Sequence, residues 1–121
     1  MIAPPSAIDY AKLDVLLELG GDRAFVNEVV ACFLKDGAER VRAVREAVGA
    51  GDVALWTRES HSLKSASATV GADELRGVCL SIDQAGRAGG PPPPGSLDAL
   101  AAAFARARDG LGAWPPGAAR G

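Results

Sequence analysis

The side chain best suited to chemistry is His61, the only histidine among the 121 residues. The residues around it, from Val53 to Val70, have a spacing that predicts a helix. At 100° per residue, His61 falls roughly 140° away from the apolar stripe of that helix, so its imidazole should face water. An imidazole is largely neutral and nucleophilic near pH 7. The position predicts a nucleophile that receives an anionic group.

The neighbours of His61 on the same helix face are small or polar, and one of them is a cation: they are Thr57, Lys64, Ser65 and Ala68. Lys64 lies three residues after His61, so its ammonium can reach the ring. Positive charge beside the ring would stabilise an anionic group that the ring receives, and Lys64 can supply that charge.

Helical periodicity accounts for the rest of the chain, and no strand-like alternation competes with it. The expected helices run from Ile8 to Leu19, from the cap Asp22 to Ala50, from the cap Asp52 to Gly71, from about Asp73 onward, and from the cap Ser96 to Trp114. Gly37 is expected to loosen the second of these. Four substantial helices with short connections predict an all-α, antiparallel up-down four-helix bundle with a short extra N-terminal helix.

The predicted domain covers residues 8–113, with a disordered N terminus at 1–7 and a disordered tail at 114–121. Glycines and prolines over residues 86–95 predict a loop before the last helix. Trp56, Phe33 and Ser67 are expected to pack inside the bundle. Cys32 and Cys79 are expected to be small, reduced, buried side chains. A solvated helix face is expected at Arg40, Arg42 and Arg45.

Composition argues against several classes of protein. A formal net charge of −2 without a basic stripe argues against nucleic acid as the main partner. No apolar stretch approaches the ~20 residues of a membrane span, and no signal-peptide pattern is present, so we expect a cytoplasmic protein. Zinc-ligand spacing, a glycine-rich phosphate loop and an acidic cluster for magnesium near His61 are all absent from the sequence. The sequence therefore predicts no site of its own for ATP or a metal ion.

These residues resemble the histidine-containing phosphotransfer (HPt) domain of multistep two-component phosphorelays. The resemblance is centred on His61-Ser62-Leu63-Lys64-Ser65, and it is supported by Leu16–Asp22, Gly51-Asp52, Gly71-Ala72, Leu75, Cys79 and Phe104. Ser65 departs from the pattern, because the family commonly has glycine there. Serine is small enough to keep the ring accessible, and its hydroxyl could hydrogen-bond a phosphoryl oxygen.

The resemblance implies a phosphorelay intermediate that accepts a phosphoryl group on His61 from a receiver-domain aspartate and passes it to another receiver aspartate. Its partners would be response-regulator receiver domains and an upstream hybrid histidine kinase. The receiver would supply magnesium, and the chain itself would need no cofactor and have no ATP-dependent kinase activity. We expect a monomer that docks its partners through Thr57, Arg58, Ala68 and Gly71.

Two alternatives remain open at the level of the sequence. The chain could be a non-catalytic helical-bundle adaptor, a degenerate HPt-like domain in which His61 has no chemistry. It could also be an enzyme with His61 as general base, although the sequence shows no second catalytic side chain in plausible reach of the ring.

Overall fold

The computed structural model describes residues 7–114 and contains five helices within them. These are α1 (Tyr10–Gly20), α2 (Arg23–Ala50), α3 (Val53–Val70), α4 (Asp73–Arg87) and α5 (Ser96–Gly112). No strand occurs among the described residues. Helix α3 packs against α2 and α4, α5 packs against α4 and α2, and α1 lies against α2 and α3. The links between consecutive helices from α1 to α4 are two residues long, and the helices pack side by side, so the predicted all-α helical bundle is confirmed.

Short polar side chains and glycines set where the helices begin and end. The carboxylates of Asp9, Asp22 and Asp52 accept hydrogen bonds from backbone N–H groups in the first turns of α1, α2 and α3. These contacts satisfy donors that have no partner inside the helix. The predicted caps at Asp22 and Asp52 are therefore confirmed. Helix α3 ends at Gly71, whose φ of 77° lies in the left-handed region that favours glycine.

The hydrophobic core lies along the shared axis of the bundle. It is formed by Ile8, Leu13, Val26, Phe33, Val41, Val44, Ala47, Trp56, Leu63, Val70, Ala72, Leu75, Cys79, Ile82, Leu100, Ala103, Ala107 and Leu111. Trp56 and Phe33 are buried, as expected. Ser67 is buried too, and its hydroxyl donates to Leu63 O at 2.7 Å within its own helix. The packing role predicted for Ser67 is thereby confirmed.

The predicted loop over 86–95 is wrong at its first two residues. Helix α4 continues through Gly86 and Arg87, and Gly86 is buried against α3. Gly86 is tolerated there because the absence of a side chain lets the two helices approach closely. The predicted cap at Ser96 is also wrong. Gly95 is the N-cap of α5, and Ser96 is the first helical residue and is buried.

Several smaller expectations need correction. Cys32 is exposed, whereas Cys79 is buried, and both are free thiols. Arg40 is not simply solvated, because its Nη1 lies 2.8 Å from Glu59 Oε2 and ties α2 to α3. Gly37 does not loosen α2. It gives room to the ring of Phe104 on α5, which would lie 2.7 Å from an added Cβ.

The ends of the domain differ slightly from the predicted bounds. Helix α1 begins at Tyr10, two residues later than predicted, yet Ile8 is already buried in the core. Trp114 packs partly buried against the core, so the bundle includes this residue of the predicted tail. The remainder of the predicted disordered ends, at 1–6 and 115–121, lies outside the described residues. Within the described part of the chain, no helix is both long enough and apolar enough to cross a membrane.

Gly86 offers a direct test of the close α3–α4 contact. An added Cβ would overlap Thr57 Oγ1 and lie 2.8 Å from Trp56 Nε1. We expect Gly86→Ala to lower the free energy of unfolding by about 1–3 kcal/mol through overpacking, measured by chemical denaturation. Gly77→Ala is the matched control on the same helix, because nothing lies within 4 Å of its added Cβ. It should raise stability by up to about 1 kcal/mol. Equal effects of the two changes would contradict the tight contact.

Candidate functional site

Helix α3 presents His61 to solvent beside the last turns of α4. The side chain of His61 is 49% exposed, and its Nδ1 lies 3.3 Å from Asp83 Oδ2. The expectation that the imidazole faces water is therefore confirmed. The Nδ1 edge of the ring faces α4. The close approach of α3 and α4 at Gly86 brings this carboxylate within reach of the ring.

Asp83 is the centre of a small ionic cluster. Its side chain is only 3% exposed, and it contacts three basic side chains. Oδ2 lies 3.3 Å from His61 Nδ1 and 3.3 Å from Lys64 Nζ, whereas Oδ1 accepts from Arg87 Nε at 2.9 Å. Burial by itself would raise the pKa of Asp83. The hydrogen bonds from His61, Arg87 and Lys64 outweigh it and hold that pKa below its ordinary value, so Asp83 is a carboxylate at neutral pH.

The ionised state of Asp83 decides which nitrogen of His61 is reactive. A carboxylate can only accept hydrogen bonds, so its contact with His61 requires the proton to be on Nδ1. The lone pair of the neutral ring is then on Nε2. Nε2 has no hydrogen-bond partner among residues 7–114. The geometry therefore prepares Nε2 as a nucleophile.

Arg87 brings a second cation to the same edge of the ring. Its Nη2 lies 3.4 Å from His61 Nδ1, and its side chain is 60% exposed. Nδ1 cannot accept from Arg87 while it donates to Asp83, and the charge of the carboxylate favours donation to Asp83. Arg87 and Arg58 line the open cleft beside His61, together with Thr57 and Gly86. An anion held at His61 would thus meet positive charge on two sides.

The residues predicted to surround His61 differ in their positions and in their hydrogen-bond partners. Lys64 is 22% exposed and is drawn toward Asp83. Ser65 is exposed. Its hydroxyl group donates to the backbone oxygen of His61 at 3.3 Å, so this short side chain is directed along its own helix. Thr57 lines the cleft, and its hydroxyl donates to Val53 O at 2.7 Å. Ala68 is exposed farther along α3, beside a different surface that includes Lys12.

Gly71 does not belong to a docking surface. It is buried at the end of α3, and its carbonyl accepts the N–H of Asp9 at 2.7 Å. An added Cβ would overlap Asp9 O. The docking role expected for Gly71 is therefore corrected to a structural one, because the segment before α1 covers it.

The sequence interpretation missed Asp83 and Arg87. The expectation that no second catalytic side chain lies in reach of His61 is wrong, since Asp83 lies at hydrogen-bond distance. One signal could have found it. Asp83 continues the buried face of α4 formed by Leu75, Cys79 and Ile82. A carboxylate on such a face needs charged or hydrogen-bonded partners, and the exposed histidine of the neighbouring helix is one.

The described residues contain no group of three or more His, Cys, Asp or Glu side chains that could hold a metal ion. The one carboxylate beside His61 is already engaged by basic side chains. What this site can offer is a nucleophilic nitrogen with fixed tautomer and a local excess of positive charge.

Comparison with known proteins agrees with this arrangement. The model of the Hpt domain family matches residues 28–110, which include His61, Lys64, Asp83 and Arg87. The chain belongs to the Hpt domain family. Family membership makes it a histidine phosphotransfer intermediate of a phosphorelay.

Solved structures show the same fold. Histidine-containing phosphotransfer protein B from Pseudomonas aeruginosa PAO1 is 26% identical, with a TM-score of 0.78 over 92% of this chain and 94% of that one. The maize phosphotransfer protein ZmHP2 is 26% identical, with a TM-score of 0.62 over 86% and 74% of the two chains. The HPT domain of a sensor hybrid histidine kinase from Shewanella, at 19% identity and a TM-score of 0.67 over 86% and 93%, shares the fold. A search of curated proteins gave no match.

The lowered pKa of Asp83 predicts how the stability of this Hpt domain depends on pH. A carboxyl group whose folded pKa is below its unfolded value, near 3.9, stabilises the fold above that value and loses the effect as pH falls through the folded pKa. We expect Asp83→Asn to lower the free energy of unfolding by about 1–3 kcal/mol at neutral pH. The difference from wild type should shrink below about pH 4.

Denaturation curves at neutral and acid pH measure this difference. Asp109→Asn is the matched control, because the Asp109 side chain is 78% exposed and lies only beside Arg108 at 3.7 Å. It should leave stability within about 0.5 kcal/mol of wild type at both pH values. A deficit in Asp83→Asn that does not change with pH would contradict an ionised Asp83 in the folded state.

Proposed function

We propose that this Hpt domain carries its phosphoryl group on Nε2 of His61. The group would come from the phosphoaspartate of one receiver domain and pass to the aspartate of another. One observation supports this proposal above all: an exposed imidazole has its Nδ1 held by the buried carboxylate Asp83, so Nε2 is both unpaired within residues 7–114 and directed away from α4.

The transfer step needs little from the chain beyond this nitrogen. The lone pair of Nε2 forms the N–P bond as the O–P bond of the receiver's acyl phosphate breaks, and the bonding electrons leave on the aspartate carboxylate. The proton on Nδ1 stays in place throughout. No separate base is required in the tautomer with its proton on Nδ1, because Nε2 then carries the lone pair.

The ionic cluster supplies the charge that this transfer requires. Lys64 and Arg87 carry two positive charges and Asp83 one negative charge, which leaves a net charge of +1 beside the ring before the phosphoryl group arrives. Lys64 is on the helix of His61, one turn away, and Arg87 approaches from α4. Lys64 would turn toward the equatorial oxygens of the phosphoryl group, and Arg87 would offer its Nη groups to them while its Nε stays on Asp83.

The remaining chemistry belongs to the partners. A receiver domain would provide the phosphorylatable aspartate and the magnesium ion, and an upstream hybrid histidine kinase would use the ATP. The chain would act without cofactor and without kinase activity of its own, as a monomer. Thr57 and Arg58 on the cleft, and Ala68 farther along α3, would contact the rim of the receiver's active site.

The His61–Asp83 pair also has the geometry of a general base with its orienting carboxylate. Two facts favour phosphotransfer over an enzyme of that kind. The family model covers the site, and the cleft is an open surface beside cations in which no side chain of residues 7–114 is hydrogen-bonded to Nε2. A non-catalytic adaptor would need neither the buried carboxylate nor the cations.

Replacement of His61 tests the acceptor directly. We expect His61→Gln to abolish the acid-labile, base-stable label that a phosphorylated receiver domain leaves on the wild-type protein. Stability should fall by no more than about 1 kcal/mol, because Lys64 and Arg87 still pair with Asp83. Circular dichroism and thermal unfolding control for folding. Label that persists on the variant would reject His61, and an unlabelled wild type that binds the receiver would favour the adaptor.

Replacement of Lys64 tests whether its positive charge speeds phosphoryl transfer. We expect Lys64→Ala to slow transfer from the phosphorylated receiver by about ten- to a hundredfold, which corresponds to roughly 1–3 kcal/mol for one charge-assisted contact. Lys35→Ala is the matched control, because Lys35 is exposed on α2 and lies outside the cluster. Rapid-quench measurement of the transfer rate separates the two. Equal rates for both variants would make Lys64 an ordinary surface residue.

A further inference from the structure

Asp83 contacts the nitrogen of His61 that does not receive the phosphoryl group. The contact at Nδ1 is made by a side chain only 3% exposed, in the last turns of α4. Phosphorylation at Nε2 adds bulk on the solvent side of the ring and leaves the edge at α4 unchanged. The carboxylate therefore stays beside Nδ1 in the phosphorylated state, and its charge acts on that state as well.

The proton on Nδ1 determines how well the imidazole leaves phosphorus. When the P–N bond breaks, its electron pair returns to Nε2, and the phosphoryl group goes to a receiver carboxylate or to water. With a proton on Nδ1, the departing group is a neutral imidazole. Without that proton, the departing group is an imidazolate anion, which is far less stable and leaves more slowly.

We propose that Asp83 is a positioning residue that keeps Nδ1 of phosphorylated His61 protonated, and that it thereby makes the phosphoryl group both quick to transfer and short-lived. This inference rests on the proposed function of His61. Asp83 touches neither phosphorus nor the receiver, so it acts only through the ring. The Asp83 carboxylate attracts the positive charge of the protonated ring, and water screens this attraction weakly because Asp83 is buried. Loss of the proton from Nδ1 would remove the attraction, so the protonated ring is favoured.

The other charged groups around the ring oppose or modulate this effect. Helix α3 contributes Lys64 and Arg58, and α4 contributes Arg87, whose Nη2 lies 3.4 Å from Nδ1. Cys79 lies one turn before Asp83, and burial, reinforced by the charge of Asp83, raises the pKa of its thiol to about 12, so it stays neutral. Among residues 7–114, no side chain of α1, α2 or α5 is hydrogen-bonded to His61 or Asp83.

These surroundings give two substitutions opposite expected effects. Asp83→Asn removes the anion that holds the proton on Nδ1, so the proton is lost at lower pH. Arg87→Gln removes a cation that repels this proton, so the proton is retained to higher pH. A purely structural contribution of either residue would not produce shifts of opposite sign.

The lifetime of phosphorylated His61 is the measurement. Wild type, Asp83→Asn and Arg87→Gln are labelled with phosphoramidate, so that no receiver is needed, and the loss of phosphohistidine is followed after removal of the donor across a range of pH.

Loss should slow as pH rises and Nδ1 loses its proton. We expect the midpoint of that change to fall by about one pH unit in Asp83→Asn, a tenfold shift in proton affinity, and to rise in Arg87→Gln. Transfer to a receiver on the alkaline side of neutrality should fall about tenfold in Asp83→Asn.

The controls separate this inference from the proposed function. Asp109→Asn makes the same change of charge at an exposed position and should match wild type. A wild type that phosphoramidate does not label would overturn the role of His61 itself. Normal labelling with the same midpoint in wild type and Asp83→Asn would overturn only the role of Asp83. If Asp83→Asn fails to fold, Arg87→Gln decides, and a midpoint that stays or falls rejects the inference.

Discussion

The site depends on one buried carboxylate between two helices. Asp83 is removed from water, and an ionised group in such a place is tolerated only when partners replace its hydration. The partners come from both helices: His61 and Lys64 from α3, and Arg87 from α4. Any movement of α4 relative to α3 would separate the carboxylate from His61 and Lys64 and leave it paired only with Arg87. Because the buried carboxylate of Asp83 needs partners, its contact with Nδ1 orients the imidazole ring. Packing alone would orient an exposed side chain less firmly.

Small residues at the α3–α4 interface make this contact possible. Gly86 leaves room for Thr57 and Trp56, and the buried hydroxyl groups of Ser60 and Ser67 are satisfied within α3 itself. They demand no partner from the neighbouring helix, so the two backbones can lie close together. A glycine that is costly within an isolated helix is here the residue that brings the carboxylate within 3.3 Å of the imidazole.

The sequence was sufficient for the fold because helical periodicity and capping residues are local signals. Asp22, Asp52 and Gly71 marked helix ends where the structure has them. His61 and Lys64 were also found locally, since they lie one turn apart on one helix. Asp83 and Arg87 were missed because they come from another helix, and their contact with His61 depends on the distance between α3 and α4. The glycines and prolines after Ala85 also predict a loop at Gly86 and Arg87, whereas both residues belong to α4.

An exposed histidine nucleophile on a helix surface would divide the chemistry between two proteins. The ring projects from α3 without a lid, so nothing in the described part of the chain excludes water from Nε2 or encloses a phosphoryl group. Enclosure and metal-ion catalysis would then exist only while a receiver is bound. What the chain can control alone is the state of the nitrogen: its tautomer, its charge and the cations beside it. Between encounters with its partners, such a carrier would lose the phosphoryl group at a rate that depends on the state of the imidazole ring. If Asp83 and Arg87 act on the ring in opposite directions, as we propose, that control depends on the balance between them.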